Sequence, residues 1–157
     1  MALAVGERAP GFTLDGIDGR NGAPITVALE DLRGQPVVIA FYPADDSPVC
    51  TAQLGEYTRR IGDFVELDAA VLAISPQSPV SHAEFAAAQG GFGFPLLSDE
   101  DKSVAASYGN LGLLDLYRRS TFVIDGEGQV VWLHRSVGPG LSYSGVEDLV
   151  AVLEQLG

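Results

Sequence analysis

The run Val37–Tyr42 restricts the fold of this chain more than any other stretch. Its residues, VVIAFY, are all apolar or aromatic, and no polar side chain alternates with them. Such a run is typical of a strand buried on both faces, as in sheets covered by helices on each side. A second buried run, Ala70–Ser75, follows after a stretch of helical pattern. Together they predict a β-α-β unit within an α/β fold.

The other elements complete a mixed central β-sheet flanked by helices, with an N-terminal β-hairpin, in a single domain over residues 1–157. The limits of these elements are indicated by turn residues, by Pro near helix starts and by Gly after helix ends. The predicted hairpin joins Phe12–Leu14 to Ile25–Ala28 across a turn-rich segment, 16–22. The predicted helices cover 47 to about 65, 79–89, 100–108 and 145–156, and the further strands cover 94–98, 120–125 and 129–134.

Charge and hydropathy exclude several classes of partner. The chain has 157 residues, 9 Lys and Arg against 21 Asp and Glu, and a net charge of −12. Its scattered basic residues argue against nucleic-acid binding and against docking on an anionic membrane. The N-terminus lacks a signal-peptide pattern, and the longest apolar run, 36–43, is too short to cross a bilayer. The expected location is therefore the cytoplasm.

The segment PADDSPVC, residues 43–50, contains the chain's only cysteine. Ser47 is a favoured helix N-cap and Pro48 a favoured first helical residue, which puts Cys50 in the first turn of a helix. Unpaired N–H groups and the helix dipole favour an anion there, and the thiolate is the reactive form of cysteine. The dipole is worth only about 0.3–1 kcal/mol, so a nearby cation is also needed. The best candidate is Arg119, directly before a predicted strand.

The spacing S-x-x-C replaces the first sulfur of a C-x-x-C pair by the Ser47 hydroxyl. A dithiol shuttle needs both sulfurs, so Cys50 cannot work in that way. A hydroxyl near a thiolate suits attack on an O–O bond, which converts the thiol to a sulfenic acid. A lone cysteine is also commonly a buried, unreactive residue, so these residues by themselves leave both interpretations open.

Longer segments resemble the peroxiredoxins. Pro43, Ser47 and Cys50 fit the family's active-site motif P-x-x-x-T/S-x-x-C, and FYPADDSPVCT is similar to the Q-type, or bacterioferritin-comigratory-protein, branch. The resemblance extends over nearly the whole chain. The other similar segments are GERAPGFTL, LEDLRGQPVVIAFYP, SHAEF, FPLLSD and RSTFVID.

This resemblance implies a thioredoxin-like fold and a thiol-dependent peroxidase that reduces hydrogen peroxide and organic hydroperoxides. It implies that Cys50 attacks the peroxide and that Ser47 hydrogen-bonds both peroxide and thiolate. Pro43 would shield the sulfur, and Arg119 would stabilise the thiolate and polarise the peroxide. Neither a metal nor an organic cofactor is implied.

The chain departs from the Q-type pattern at Gly55, where many members have a resolving cysteine. With no second cysteine, an external thiol must reduce the sulfenic acid; the candidates are a thioredoxin-like protein and a low-molecular-weight thiol. Gln53 stands where Glu is frequent, and no firm role follows for it. The expected assembly is a monomer or homodimer. The alternatives are a thioredoxin-type thiol oxidoreductase, which the missing sulfur disfavours, and a thioredoxin-fold redox sensor.

Two other groups of polar residues are interpreted as structural. His82 and His134 have no obvious metal-binding partners, and isolated histidines are mostly surface or packing residues. Asp45 and Asp46 are adjacent in a loop, where side chains usually point in different directions, so a solvated turn is expected.

Overall fold

A computed structural model describes residues 3–136 and 142–156. In these ranges seven strands form one sheet, in the order β2-β1-β5-β4-β3-β6-β7. The strands are β1 (Thr13–Asp18), β2 (Pro24–Ala28), β3 (Val37–Phe41), β4 (Ala70–Ser75), β5 (Pro95–Ser98), β6 (Ser120–Ile124) and β7 (Val130–Arg135).

The predicted buried strand β3 lies near the centre of the sheet, and all its residues are buried. It runs parallel to β4, which is in turn parallel to β5, and antiparallel to β6. β1 pairs with β2 and with β5 in antiparallel fashion. The mixed sheet and the N-terminal strand pair confirm the predicted architecture.

Helices cover both faces of the sheet, as the two buried runs require. The helices are α1 (Pro48–Arg59), α2 (Ile61–Glu66), α3 (Pro79–Ala88), α4 (Ser103–Ser107) and α5 (Val146–Glu154). Alternate residues of β3 enter two separate cores. Val38 and Ala40 pack with residues of α1, α2, α3 and α5, whereas Val37, Ile39 and Phe41 pack with α4 and its neighbours.

The two largest errors in the predicted boundaries both have local causes. The helix predicted to run to about residue 65 is divided at Arg60, whose φ of −107° and ψ of 18° separate α1 from α2. β1 continues to Asp18 instead of ending near Leu14, because Gly16 pairs with Ile25 on one side and Leu97 on the other. Glycine there supports close packing of strands and does not mark a turn.

We expect Gly16→Ala to lower the free energy of unfolding by about 1–3 kcal/mol, the usual cost of overpacking. A Cβ atom at this position would lie 2.1 Å from the Leu96 carbonyl oxygen, so the backbone of β1 or β5 must move. The measurement is urea unfolding at neutral pH.

The matched control is Gly62→Ala in α2, where an added Cβ would meet nothing within 4 Å. Alanine is the better helix former, so we expect Gly62→Ala to gain about 0.5–1 kcal/mol. Equal stability of the two variants would contradict the close approach of β1 to β5.

Candidate active site

Cys50 lies where sequence analysis placed it, in the first turn of α1. The loop 42–47 joins the end of β3 to this helix, and Ser47 is its N-cap. The backbone N–H of Cys50 donates to Ser47 Oγ at 3.3 Å. Ser47 uses a lone pair in this bond, so its hydroxyl proton remains available for donation to another group. The Cys50 side chain is completely buried, with 0% exposure.

Arg119 reaches the Cys50 sulfur from the neighbouring strand. Phe41 at the end of β3 pairs with Ser120 at the start of β6, so the residue before β6 lies beside the loop that follows β3. The guanidinium Nη2 donates to Cys50 Sγ at 3.1 Å, and Arg119 is only 3% exposed. The antiparallel register thus brings together two residues that are far apart in sequence.

Gln53 holds the other side of the guanidinium. Its Oε1 accepts from Arg119 Nη1 at 2.7 Å, and its Nε2 donates to the Tyr57 hydroxyl at 3.2 Å. The Tyr57 hydroxyl donates in turn to the Ser144 carbonyl, and burial raises the pKa of Tyr57 to about 12. The sequence pattern by itself predicts no firm role for Gln53. The available signal was its position three residues after Cys50, which places both side chains on one face of a helix.

The electrostatics of this site favour an anionic sulfur. A buried guanidinium is costly unless charged or strongly polar groups surround it. Gln53 supplies a neutral oxygen to the Arg119 guanidinium, and a thiolate at Cys50 would supply a negative charge and accept a charge-assisted hydrogen bond. The first turn of α1 adds the positive end of a helix dipole at the same point.

The solvated turn expected for Asp45 and Asp46 is wrong for Asp45. Its side chain is 5% exposed, and its carboxylate accepts from the Tyr42 and Ser81 hydroxyls, each at 2.7 Å. Asp46 is exposed, and its φ of 64° turns the chain.

His82 is neither a surface residue nor an apolar packing residue. It is fully buried, and its Nδ1 lies 2.8 Å from Asp45 Oδ2. Burial by itself raises the pKa of Asp45, but the hydrogen bond and charge of His82, with the Tyr42 and Ser81 hydroxyls, lower it further than burial raises it. Burial, followed by the charge of Asp45, raises the pKa of Tyr42 well above its ordinary value. Sequence spacing gave no signal for this pair, because its members belong to separate elements.

Pro43 lies at the start of the same loop, half-buried, and its carbonyl accepts from Gln77 Nε2 at 3.3 Å. The structure therefore brings Pro43, Ser47, Cys50 and Arg119 to one end of the β3–β6 strand pair. In residues 3–136 and 142–156, no three His, Cys, Asp or Glu side chains are grouped so that they could hold a metal ion. Over the same residues, no helix has the length and apolar character needed to span a membrane.

Comparison with known protein families identifies the class of this protein. Residues 5–133 match the AhpC/TSA family. The chain belongs to this family. The solved structure of Mycobacterium tuberculosis AhpC superimposes with a TM-score of 0.89, covers 99% of this chain and 94% of that chain, and shares 22% identity. This likeness confirms the predicted thioredoxin-like fold.

The curated relatives carry the name peroxiredoxin. A putative peroxiredoxin of Mycobacterium tuberculosis is 41% identical over 136 residues, which cover 82% of this chain and 83% of that protein. Peroxiredoxin Bcp of Bacillus subtilis is 32% identical over 144 residues, which cover 87% and 88% of the two chains. They confirm the resemblance to the bacterioferritin-comigratory-protein branch. The predictions of a single domain, a cytoplasmic location and a monomer or homodimer stay predictions.

We expect Asp45→Asn to weaken the dependence of stability on acidic pH. The pKa of Asp45 is lower in the folded chain than in the unfolded chain. Its ionised form therefore contributes stability that is complete above a pH of about 3.9 and is lost as the pH falls through the folded pKa. The asparagine variant lacks this contribution at every pH.

The measurement is the free energy of unfolding in urea between about pH 2 and pH 5, a window that brackets the ordinary pKa of aspartate. Asp46→Asn, which changes the exposed neighbour in the same way, is the control. Identical pH slopes in wild type and Asp45→Asn would contradict the assigned contacts.

Proposed function

We propose that this chain is a thiol-dependent peroxidase that works with one cysteine, Cys50. The observation that carries the proposal is the buried hydrogen bond, 3.1 Å long, from Arg119 Nη2 to Cys50 Sγ. This contact holds a cation against a sulfur at a helix N-terminus, an arrangement that favours the nucleophilic thiolate. Membership of a family whose relatives are named peroxiredoxins supports the same activity.

In the first step the Cys50 thiolate attacks one oxygen of the peroxide, and the O–O bond breaks. The sulfur is oxidised to a sulfenic acid, and the second oxygen leaves as hydroxide or alkoxide and takes up a proton to become water or an alcohol. Arg119 stabilises the negative charge as it moves from sulfur to the leaving oxygen. The Ser47 hydroxyl donates a hydrogen bond to the bound peroxide. Pro43 shields the sulfur from bulk water.

The burial of Cys50 bears on the choice of peroxide. A side chain with 0% exposure admits a small substrate more readily than a bulky one. Hydrogen peroxide therefore reacts faster than organic hydroperoxides with large substituents.

An external thiol completes the cycle, because the sequence contains a single cysteine. This thiol attacks the sulfenic sulfur, water leaves, and a mixed disulfide forms. A second thiol then reduces the mixed disulfide and restores Cys50. The reductant is a thioredoxin-like protein or a low-molecular-weight thiol.

We expect the reduced protein to form a sulfenic acid at Cys50 when mixed with one equivalent of hydrogen peroxide, and Cys50→Ser to form none. Trp132 fluorescence follows the reaction, and trapping with mass spectrometry locates the added oxygen. Turnover upon addition of thiols separates a peroxidase from a sensor that is oxidised once. A rate no faster than that of a free thiol in solution would overturn the proposal.

We expect Arg119→Met to lower the second-order rate constant for hydrogen peroxide by about 100-fold, the usual effect of losing one preorganised donor. The control is Arg118→Met, which removes an equal charge one residue away, where Nε donates to the Ser136 carbonyl. Stopped-flow fluorescence compares the variants, and thiol ultraviolet absorbance at fixed pH reports the thiolate fraction. If Arg119→Met reacts as fast as Arg118→Met, Arg119 has no role in the reaction.

A further inference from the structure

The loop 42–47 is fixed to α3 through one carboxylate, that of Asp45. Tyr42 Oη donates to Oδ1 and Ser81 Oγ donates to Oδ2, each at 2.7 Å. His82 Nδ1 lies 3.0 Å from Oδ1 and 2.8 Å from Oδ2. A loop carboxylate with two partners from α3 is an anchor, because moving the loop away from α3 breaks both contacts together; Tyr42, at the start of the loop, holds the same carboxylate.

Both ring nitrogens of His82 lie beside groups that can only accept a hydrogen bond. Its Nε2 lies 3.0 Å from the carbonyl oxygen of Leu97 in β5. Its Nδ1 lies 2.8 Å from Oδ2 of the Asp45 carboxylate. A ring with protons on both nitrogens satisfies both acceptors, and the pair then consists of an imidazolium and a carboxylate.

Gln77 holds the backbone of the same loop from the segment between β4 and α3. Its Oε1 accepts from the backbone N–H of Asp45 at 3.0 Å, and its Nε2 donates to the Pro43 carbonyl at 3.3 Å. Ser75 at the end of β4 donates to the same Oε1 at 2.7 Å, which fixes the amide. The backbone and the side chain of the loop are thus tied to neighbouring elements.

We infer that the buried His82–Asp45 ion pair fixes the loop 42–47, so that Pro43 and Ser47 surround the Cys50 sulfur. His82 and Asp45 are then positioning residues, and neither touches the substrate. Asp45 lies two residues after Pro43 and two before Ser47. Tyr42, which donates to Asp45, is packed in the same buried cluster as Cys50. The effect on reaction rate rests on the proposed peroxidase function, whereas the ion pair itself does not.

The test compares Asp45→Asn with Asp46→Asn. Each variant removes one carboxylate, and the two positions are adjacent. Asparagine tolerates the left-handed conformation of residue 46. We expect Asp45→Asn to lower the second-order rate constant for hydrogen peroxide by about 10- to 100-fold, because small misplacements of reacting groups cost that much. Asp46→Asn keeps the wild-type rate. Equal rates in the two variants would overturn the positioning role.

A nitrogen NMR experiment separates positioning from general stabilisation. The chain has only two histidines, so the His134→Gln background gives the His82 ring signals alone. We expect both ring nitrogens to be protonated at neutral pH in the reduced protein. In Asp45→Asn the amide can donate to Nδ1, so a neutral ring is expected. A neutral ring at neutral pH in the parent protein would overturn the ion pair.

A second variant and the wild-type rate distinguish a failure of the loop anchor from a failure of the peroxidase proposal. If Asp45→Asn does not fold, Ser81→Ala removes one of the donors to Asp45 and is expected to give a smaller loss of rate in the same direction; no loss would overturn the anchor. If the wild-type protein reacts no faster than a free thiol, the peroxidase proposal fails. The NMR result still decides whether the ion pair exists.

Discussion

The contact between a buried guanidinium and a buried sulfur sets the requirements for the rest of the site. Arg119 is 3% exposed and keeps its charge, because a guanidinium is always charged in proteins. An anion and further acceptors have to be supplied from within the protein. α1 meets both needs, since Cys50 in its first turn approaches Nη2 and Gln53 one turn later accepts from Nη1. The position of the start of α1 therefore depends on its contacts with Arg119 as well as on the Ser47 cap.

A second buried contact, between Asp45 and His82, holds the loop that precedes α1. The Asp45 and His82 side chains are almost entirely removed from water. Buried ion pairs add little to stability compared with apolar packing, but they allow few alternative arrangements. Two sets of directional contacts therefore hold this part of the chain: Arg119, just before β6, contacts the first turns of α1, and α3 contacts Asp45. Such a loop keeps its shape before substrate arrives, which is the condition for preorganised catalysis.

Local sequence patterns predicted the central strands, the helix cap at Ser47 and the position of Cys50, because neighbouring residues determine each of these features. The pairing of Arg119 with Cys50 depends on the register of the strands. The residues around Cys50 indicated only that a cation was needed, with Arg119 as the best candidate. The family resemblance then supported Arg119. The Asp45–His82 pair could not be predicted, since it joins a loop to a helix and a strand through tertiary packing. The break at Arg60 was missed because hydrophobic periodicity continues across it.

In the proposed cycle, the complete burial of Cys50 also affects the kinetics of the step that regenerates its thiol. A peroxide molecule is small, but a thiol of any size must bring its own sulfur into line with the oxidised one. With 0% exposure, that approach requires the first turn of α1 to separate from its surroundings. Reduction then follows the pattern of exchange through local opening. At low thiol concentration the rate depends on how often the open form is populated, and at high concentration it reaches a plateau set by the opening step alone.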